Sequence, residues 1–259
     1  MPTTPSRPVA LIAGGAGGMG RAIAEALART GYAIALADLP LDPLYQGEQA
    51  LSAAGHVVCA VPLDLRSRTS CYECIATTMA WGGRLDILIN AAGVWREGAP
   101  ESMSEADWDL VMDVNLKGPF LMIQAALPHL PDGAAILNIA SDAGLVGNKG
   151  ASVYSASKGG LVLLTKALAL DLAPRRIRVN ALCPADVATP MIEFQAETYG
   201  DGDPKAYKDR LLMQYPQGAA ARFITPQEIA SFAAYLVSAE ASAITGAALP
   251  IDFGMTAGY

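Results

Sequence analysis

The sequence predicts an α/β fold, namely a doubly wound Rossmann-type domain with a mostly seven-stranded parallel sheet. Short β-branched or aliphatic runs alternate with longer helical patterns along the chain, which is typical of βαβ units. Several of the short runs are apolar on both faces, as in parallel strands that helices cover on both sides. The length of 259 residues suits one large domain, and no linker or repeat divides it. We therefore expect residues 1–259 to form a single domain.

The pattern assigns each element in chain order. Strands are predicted over residues 9–13, 33–38, 56–62, 85–90, 134–141, 177–182 and 247–251. Helices are predicted over residues 18–30, 44–53, 67–81, 104–130, 152–173 and 226–239. Ser104 is followed by Glu105 and Asp107, a combination typical of a helix N-terminus.

Residues 189–217 break this alternation. They are rich in Asp, Gly and Pro near 200–204, and they carry the large side chains Met191, Phe194, Tyr199, Tyr207, Met213 and Tyr215. A long irregular excursion in a compact domain is usually functional or disordered. Its aromatic content favours an inserted lid over a substrate.

Composition argues against several classes of protein. Hydrophobic residues make up 52% of the chain and charged residues only 17%, which argues against disorder. The net charge of −7, with no Lys/Arg-rich run, argues against nucleic acid as a partner. Residues 1–7 contain no apolar signal core, and no apolar window of about 20 residues occurs elsewhere. We expect a cytoplasmic protein with no membrane partner.

The four cysteines show no disulfide-framework spacing, which fits a reducing compartment. Cys71 and Cys74 have the spacing of a redox or metal pair, but no second pair and no nearby His accompanies them. We expect two small apolar side chains on a helix, and no metal site.

A glycine-rich turn follows the first predicted strand and opens a helix. It spans Gly14 to Gly20, and glycine there lets the backbone approach a pyrophosphate closely while the helix N-terminus offers free N–H groups. Asp38 lies about 20 positions further on, at the end of the second strand. Its carboxylate can accept hydrogen bonds from the ribose hydroxyls of NAD and would repel the 2′-phosphate of NADP. Since Leu39 follows Asp38 and Gly17 occupies the turn, no basic residue favours NADP, and NAD is the predicted cofactor.

A second group of residues points to proton transfer. Ser141 ends a predicted strand, and Tyr154 and Lys158 lie one turn apart on the same face of a helix. A tyrosine pKa of about 10 is poorly matched to neutral pH. The Lys158 ammonium and a positive nicotinamide ring would lower it, and Ser141 would hold the substrate oxygen. A nucleophilic triad is not supported, because the only histidines are His56 and His129 and neither is suitably placed.

On these motifs the chain resembles the short-chain dehydrogenase/reductase (SDR) family from Val9 to Tyr259. The matching pieces, in order, are Gly14-x-x-x-Gly18-x-Gly20, Asp64-Leu65, Asn90-Ala-Ala-Gly93, Asn115, Ser141, Tyr154-x-x-x-Lys158, and Pro184 with Thr189. The ordered set is specific, although each piece alone is weak.

The resemblance implies a role for each matching residue. The implied catalytic residues are Asn115, Ser141, Tyr154 and Lys158. The implied cofactor-binding residues are Gly14, Gly18, Met19, Gly20, Asp38, Asp64, Leu65, Asn90, Ala91, Gly93, Tyr154, Lys158, Pro184, Val187 and Thr189. The implied substrate-binding residues are Trp95, Ser141, Asn148 and Tyr154, and further pocket candidates are Arg96, Asp142, Val146, Met191, Ile192 and Phe194. Asn115 is expected to hold a helix kink, and Arg96 either pairs a substrate carboxylate or is a solvated surface residue.

The predicted activity is the reversible, NAD-dependent oxidation of a secondary alcohol to a ketone, with a sugar, polyol or cyclic alcohol as substrate. One alternative is a 3-oxoacyl thioester reductase, which the resemblance associates with NADP and a basic entrance. Another is a non-catalytic protein that senses NAD, since fold does not imply function. The resemblance also implies a homotetramer, in which the helices at 104–130 and 152–173 pack across a two-fold axis and the tail, residues 255–259, could reach a neighbouring site.

Overall fold

The computed structural model describes residues 7–258. The predictions about residues 1–6 and Tyr259 therefore lie outside the described part of the chain. Seven parallel strands form one sheet in the order β3-β2-β1-β4-β5-β6-β7. They are β1 (Val9–Ala13), β2 (Ala33–Asp38), β3 (Val58–Pro62), β4 (Ile87–Asn90), β5 (Ala135–Ile139), β6 (Arg178–Pro184) and β7 (Ala248–Ile251). The predicted doubly wound α/β fold is confirmed.

The helices cover both faces of the sheet. They are α1 (Gly18–Arg29), α2 (Asp42–Ala53), α3 (Arg68–Gly82), α4 (Glu105–Met112), α5 (Gly118–Ala126), α6 (Ser152–Leu172), α7 (Pro190–Tyr199), α8 (Pro204–Leu212) and α9 (Pro226–Val237). Within residues 7–258, no helix is long and apolar enough to cross a lipid bilayer.

Strand β1 shows why its sequence is apolar throughout. Leu11 and Ala13 pack into the core on one face of the sheet, with side chains of α3 and α5. Ala10 and Ile12 pack into the core on the opposite face, with side chains of α1 and α9. Because side chains alternate along a strand, both sets are buried only if helices cover both faces.

The strand order reverses at β1, which pairs with β2 on one side and with β4 on the other. At such a switch point the loops after the two strands diverge and leave a crevice at their carboxyl ends. The glycine turn follows β1 and the Asn90–Gly93 segment follows β4 at this crevice. The fold thus brings the predicted cofactor motifs to one edge of the sheet.

A buried chain of polar side chains joins β4, β5 and α6. Asn90 is the register partner of Asn138 across β4 and β5. Its Nδ2 donates to Asn138 Oδ1 at 2.8 Å, and Asn138 Nδ2 donates to Thr165 Oγ1 at 2.9 Å. Thr165 Oγ1 in turn donates to the carbonyl of Leu161 at 2.8 Å. Buried polar groups are normally satisfied in this way.

The helix predicted over residues 104–130 is present with the kink expected at Asn115, although it ends at Ala126 rather than at residue 130. It is interrupted by a π-helical turn over Asp113–Lys117, and α5 starts anew at Gly118 with Pro119 in its first turn. Such turns are frequent at functional sites. The start was predicted correctly, because Ser104 accepts a hydrogen bond from the N–H of Asp107 at 3.0 Å.

The irregular segment predicted over residues 189–217 is largely helical. Pro190 and Pro204 stand in the first turns of α7 and α8, where their missing N–H costs nothing. Asp203 caps α8 by accepting a hydrogen bond from Ala206 N at 2.9 Å. The Asp, Gly and Pro residues thus form a turn between two short helices, rather than a loop throughout.

Candidate active site

The predicted cofactor residues surround a connected groove at the carboxyl edge of the sheet. One cavity of about 330 Å³ is lined by Gly14, Gly18, Met19, Gly20, Asp38, Ala91, Gly93 and Thr189, among others. A neighbouring cavity of about 290 Å³ shares Gly14, Asp38 and Gly93 and adds Asp64 and Leu65. A third cavity holds Tyr154, Pro184 and Val187 and shares Met19 and Thr189 with the first. Of the predicted cofactor set, Asn90 and Lys158 lie outside these linings.

The glycine turn packs too closely for side chains. Gly14 has a φ of 86°, and a Cβ there would lie 2.3 Å from Ala92 N. A Cβ on Gly20 would lie 2.0 Å from Gly14 O. Gly17 precedes α1 without a side-chain cap, so the first N–H groups of that helix remain available to an anion.

Asp38 ends β2 beside this turn. Its Oδ2 accepts a hydrogen bond from Ala16 N at 3.0 Å, and its Oδ1 accepts one from Leu39 N at 2.8 Å. These contacts fix the carboxylate at the rim of the groove. Arg66 lines the neighbouring cavity, but its guanidinium donates to Asp64 at 3.1 and 2.9 Å. Hydrogen bonds from Arg66 hold the pKa of Asp64 below its usual range.

The proton-transfer residues lie at the third cavity. Tyr154 lines it, and Lys158 lies one helical turn further along α6, with its Nζ 5.7 Å from the Tyr154 ring centroid. Lys158 Nζ donates to the carbonyl of Ile139 at 2.8 Å. A Cβ built on Gly93 would lie 3.5 Å from both Lys158 Nζ and Asn115 Oδ1, so these two groups lie next to a residue that lines the groove.

Asn115 lies in the π-helical turn and is fully buried. Its Nδ2 donates to the carbonyl of Val94 at 3.0 Å and to Ser157 Oγ at 3.2 Å, while its Oδ1 accepts from Val94 N at 2.9 Å. Ser157 Oγ donates to the carbonyl of Tyr154 at 2.7 Å. The helix irregularity therefore places an amide that connects the loop after β4 to the backbone of the tyrosine.

The lowering of the Tyr154 pKa by Lys158 together with a nicotinamide ring stays a prediction, and within the chain itself other groups act on this pKa. Burial raises the pKa of Tyr154, and this outweighs the lowering by the Ser141 hydroxyl; the charges of Asp142 and Asp186 raise it further. Burial also lowers the pKa of Lys158 to about 8. Charged forms are disfavoured in both cases because the groups are removed from water.

The third cavity is small, about 70 Å³, and has a polar and an aromatic wall. The predicted substrate residues Trp95, Ser141, Asn148 and Tyr154 all line it, with Met191 and Ile192. The Trp95 ring packs on the Tyr154 ring with centroids 4.4 Å apart.

Three of the pocket candidates lie outside this cavity. Arg96 donates to Asp107 at 2.8 Å and to the carbonyl of Trp95 at 2.9 Å, and it does not line the cavity. Val146 and Phe194 are 45% and 44% exposed and also lie outside the lining. The sequence analysis missed Asp186 and Gln195, which do line it. Asp186 stands two residues after Pro184, but no pattern in the sequence indicates that its side chain faces the cavity.

The carboxylate of Glu97 connects α8 to the loop after β4. Glu97 Oε2 accepts a hydrogen bond from Tyr207 OH at 2.7 Å and one from Trp95 Nε1 at 3.2 Å. Tyr207 belongs to α8, while Trp95 and Glu97 follow β4. This contact holds the α7–α8 segment over the substrate cavity.

Removing the hydrogen bond between Tyr207 and Glu97 should weaken the attachment of the α7–α8 segment. We expect Tyr207→Phe to raise KM roughly 10–100-fold with little change in kcat, because a hydrogen bond to a charged group contributes about 1.5–3 kcal/mol and about 1.4 kcal/mol corresponds to tenfold. The matched control is Tyr199→Phe, since Tyr199 OH of α7 has no hydrogen-bond partner among residues 7–258. Steady-state kinetics would measure both variants, and equal KM values in them would contradict the role assigned to Glu97.

Comparison with known proteins identifies the class to which this site belongs. A family model described as enoyl-(acyl carrier protein) reductase matches residues 14–256. The chain belongs to the short-chain dehydrogenase/reductase family, whose members are oxidoreductases.

Individual relatives match along nearly the whole chain. "Oxidoreductase UcpA" of Salmonella typhimurium is 36% identical over 250 residues, covering 95% of this chain and 94% of the relative. The 3-oxoacyl-[acyl-carrier-protein] reductase FabG of Thermotoga maritima is 34% identical over 252 residues, covering 95% and 97%. The crystal structure of levodione reductase superposes with a TM-score of 0.92 at 31% identity, covering 97% of this chain and 98% of that one.

Proposed function

We propose that the protein catalyses the reversible oxidation of a secondary alcohol to a ketone with NAD. The observation that carries the proposal is the position of Ser141 and Tyr154 in a small cavity that adjoins the glycine-lined groove through Met19 and Thr189. The reaction balances as alcohol plus NAD⁺ giving ketone, NADH and a proton.

The residues present fit a dinucleotide. The backbone at Gly14 and Gly20 leaves space that a Cβ would fill, and the N-terminus of α1 faces this space with free N–H groups. Asp38 lies at the rim where ribose hydroxyls would reach it. When bound, the nicotinamide cofactor accepts the hydride from the carbinol carbon.

The chain's own residues handle the proton and the geometry. Tyr154 OH lies in the cavity and takes the hydroxyl proton of the alcohol once its phenolate is stabilised. Lys158 adds positive charge beneath the tyrosine, held in place by the carbonyl of Ile139. Ser141 holds the substrate oxygen against Tyr154, and Asn115 positions the backbone of that residue through Ser157.

Asp38 supports NAD rather than NADP as the cofactor. In the wild-type protein, we expect turnover with NAD on one class among sugars, polyols and cyclic alcohols, followed by absorbance of the reduced cofactor. Asp38→Ser should raise the NADP/NAD ratio of kcat/KM by roughly 10–100-fold, because it removes the charge that repels a 2′-phosphate. Asp42→Ser is the control, since Asp42 begins α2 nearby but does not line the groove. A wild-type protein that prefers NADP would contradict this proposal.

The reduction of a 3-oxoacyl thioester is the second candidate. It is favoured by the similarity to the Thermotoga reductase and by the description of the matching family model. Activity with NADPH and a 3-oxoacyl thioester, without activity on alcohols and NAD, would establish it. A non-catalytic NAD sensor is a third candidate, but the retention of Tyr154, Lys158 and Ser141 opposes it.

We also propose that the protein is a cytoplasmic homotetramer. Large apolar side chains lie exposed on the helices expected at the interface: Trp108 on α4, Phe120 on α5, and Leu163 and Leu170 on α6. Leu163 and Leu170 are 68% and 77% exposed, which is unusual for leucine in a rigid helix and supports a partner subunit on this face.

A further inference from the structure

Two carboxylates line the small cavity that contains Tyr154. Asp142 follows Ser141 directly and is 7% exposed. Asp186 follows β6 and lines the cavity from the other side. None of the lining side chains, all of them within residues 7–258, belongs to Lys, Arg or His. Lys158 does not line this cavity, and its Nζ binds the Ile139 carbonyl.

The hydrogen bonds of the two carboxylates are incomplete. Asp142 Oδ1 accepts from Ser141 Oγ at 2.7 Å and from Ala143 N at 2.8 Å. Asp186 Oδ2 accepts from Tyr215 OH at 3.2 Å, whereas its Oδ1 has no donor among the residues that the structure describes. An ionised carboxylate can accept about four hydrogen bonds. The two carboxylates can therefore accept further hydrogen bonds from a molecule in the cavity.

A third polar side chain supports a ligand at the same place. Gln195 of α7 is 5% exposed and lines the cavity. Its amide makes no hydrogen bond with residues 7–258. Because this side chain is mostly buried and lines the cavity, its amide is available to hydrogen-bond a molecule bound there.

The charges decide which molecule fits. Burial and the neighbouring Asp142 raise the pKa of Asp186 to about 6, as expected for two like charges close together away from water. A carboxylate or phosphate in the substrate would add a third negative charge. A neutral hydroxyl could fill a hydrogen bond, but it would leave the repulsion unrelieved. A cationic group would donate the hydrogen bond and would also neutralise the repulsion between the two carboxylates.

Resting on the proposed function, we infer that the substrate carries a protonated amine beside the reacting carbon, so that the enzyme acts on a small amino alcohol and the corresponding aminoketone. Asp186 and Asp142 bind the ammonium group, and Gln195 completes its hydrogen bonds. Ser141 and Tyr154 contact the hydroxyl. The volume of about 70 Å³ favours a small group at this position.

The test compares isosteric substrates in the wild-type protein with NAD. The pairs are 1-amino-2-propanol against 1,2-propanediol and 2-aminocyclohexanol against cyclohexane-1,2-diol. We expect kcat/KM to be at least roughly tenfold higher for the amine in one of the pairs, because a charge-assisted hydrogen bond is about twice as strong as a neutral one. Equal kcat/KM values for amine and diol in both pairs would overturn the inference while leaving the proposed function intact.

Variants at the carboxylate provide the control. Asp186→Asn should abolish the preference for the amine over the diol by removing the charge. Tyr215→Phe removes a hydrogen bond to Asp186 and keeps the charge, so it should retain the preference. An equal loss on amine and diol in Asp186→Asn would assign the carboxylate a structural role and overturn the inference.

The pH dependence gives a readout that structural damage would not produce. The charged and titratable groups around Asp186 are Asp142, Tyr154, Tyr207 and Tyr215. Asp186 becomes neutral as pH falls through about 6, and the amine stays protonated. The amine-over-diol ratio should therefore fall below this pH in the wild type and be constant in Asp186→Asn. A ratio independent of pH in both proteins would count against the inference.

A binding measurement tests the amine inference independently of the proposed function. Trp95 lines the cavity, so its fluorescence should report 1-amino-2-propanol binding to the NADH complex of Tyr154→Phe, which needs no turnover. Binding of the amine there without any turnover in the wild type would refute the proposed function alone. Turnover of alcohols with no amine binding would refute the amine inference alone.

Discussion

Tyr154→Phe is expected to reduce kcat by about 10²–10⁴-fold, the usual contribution of a positioned general acid or base. The substitution removes only the hydroxyl. The phenylalanine ring retains its packing on Trp95, whose centroid lies 4.4 Å away, so the cavity keeps its shape. Alcohol oxidation in the wild type should also become faster as pH rises, because burial raises the pKa of Tyr154 and the ionised form is the base.

Steady-state kinetics and NADH fluorescence would measure this prediction together. NADH binding should change little, since the glycine turn and Asp38 are untouched. Tyr235→Phe serves as the control, because Tyr235 lies on α9, is 41% exposed and makes no hydrogen bond through its hydroxyl within the described residues. Full activity in Tyr154→Phe would refute the assignment of the tyrosine as the proton-transfer group.

Gly20→Ala is expected to destabilise the protein and to weaken NAD binding. Helix propensity alone predicts the opposite, because alanine in a helix is more favourable than glycine by about 0.5–1 kcal/mol. The added Cβ would lie 2.0 Å from Gly14 O and 2.8 Å from Gly14 C, and both are backbone atoms that cannot rotate away. Overpacking of this kind costs about 1–3 kcal/mol, so the free energy of unfolding should decrease despite the propensity.

Gly17→Ala is the matched control in the same turn. A Cβ at Gly17 would meet Gly14 O at 3.4 Å, an ordinary contact, and the φ of this residue is −72°. Urea unfolding monitored by circular dichroism would compare the midpoints of the two variants, and titration with NADH would compare their affinities. If Gly20→Ala unfolds at the same urea concentration as Gly17→Ala, the steric reason for this glycine is wrong.

The sequence predicts well those parts of the site whose residues are close along the chain. Tyr154 and Lys158 share a helix face because of their spacing, and the glycine turn is identified by its place between a strand and a helix. The end of β2, with Asp38, follows from the same local pattern. These features depend on hydrophobic periodicity and on backbone conformation, and both can be recognised in short stretches of sequence.

The parts that were missed depend on contacts between distant segments. Glu97 and Tyr207 are 110 residues apart, and nothing in either segment indicates that they meet. Gln195 lies in a segment whose glycine and proline residues suggested a loop. The kink at Asn115 was expected only from the family resemblance, because the hydrogen bonds of its amide to Val94 and Ser157 form only once three segments have packed.

The Asn90–Asn138 pair bears on how the chain reaches its native alignment. Sliding β4 by two residues along β5 would keep the same faces buried, so hydrophobic packing discriminates poorly against that error. The slipped arrangement would place Asn90 opposite Ile136 or Ala140, and buried amides would lose their partners at a cost of about 1–3 kcal/mol each. The pair therefore stabilises the native register of the two strands relative to the slipped one. It also fixes the position of Gly93, after β4, relative to Ser141, after β5, at the carboxyl edge of the sheet.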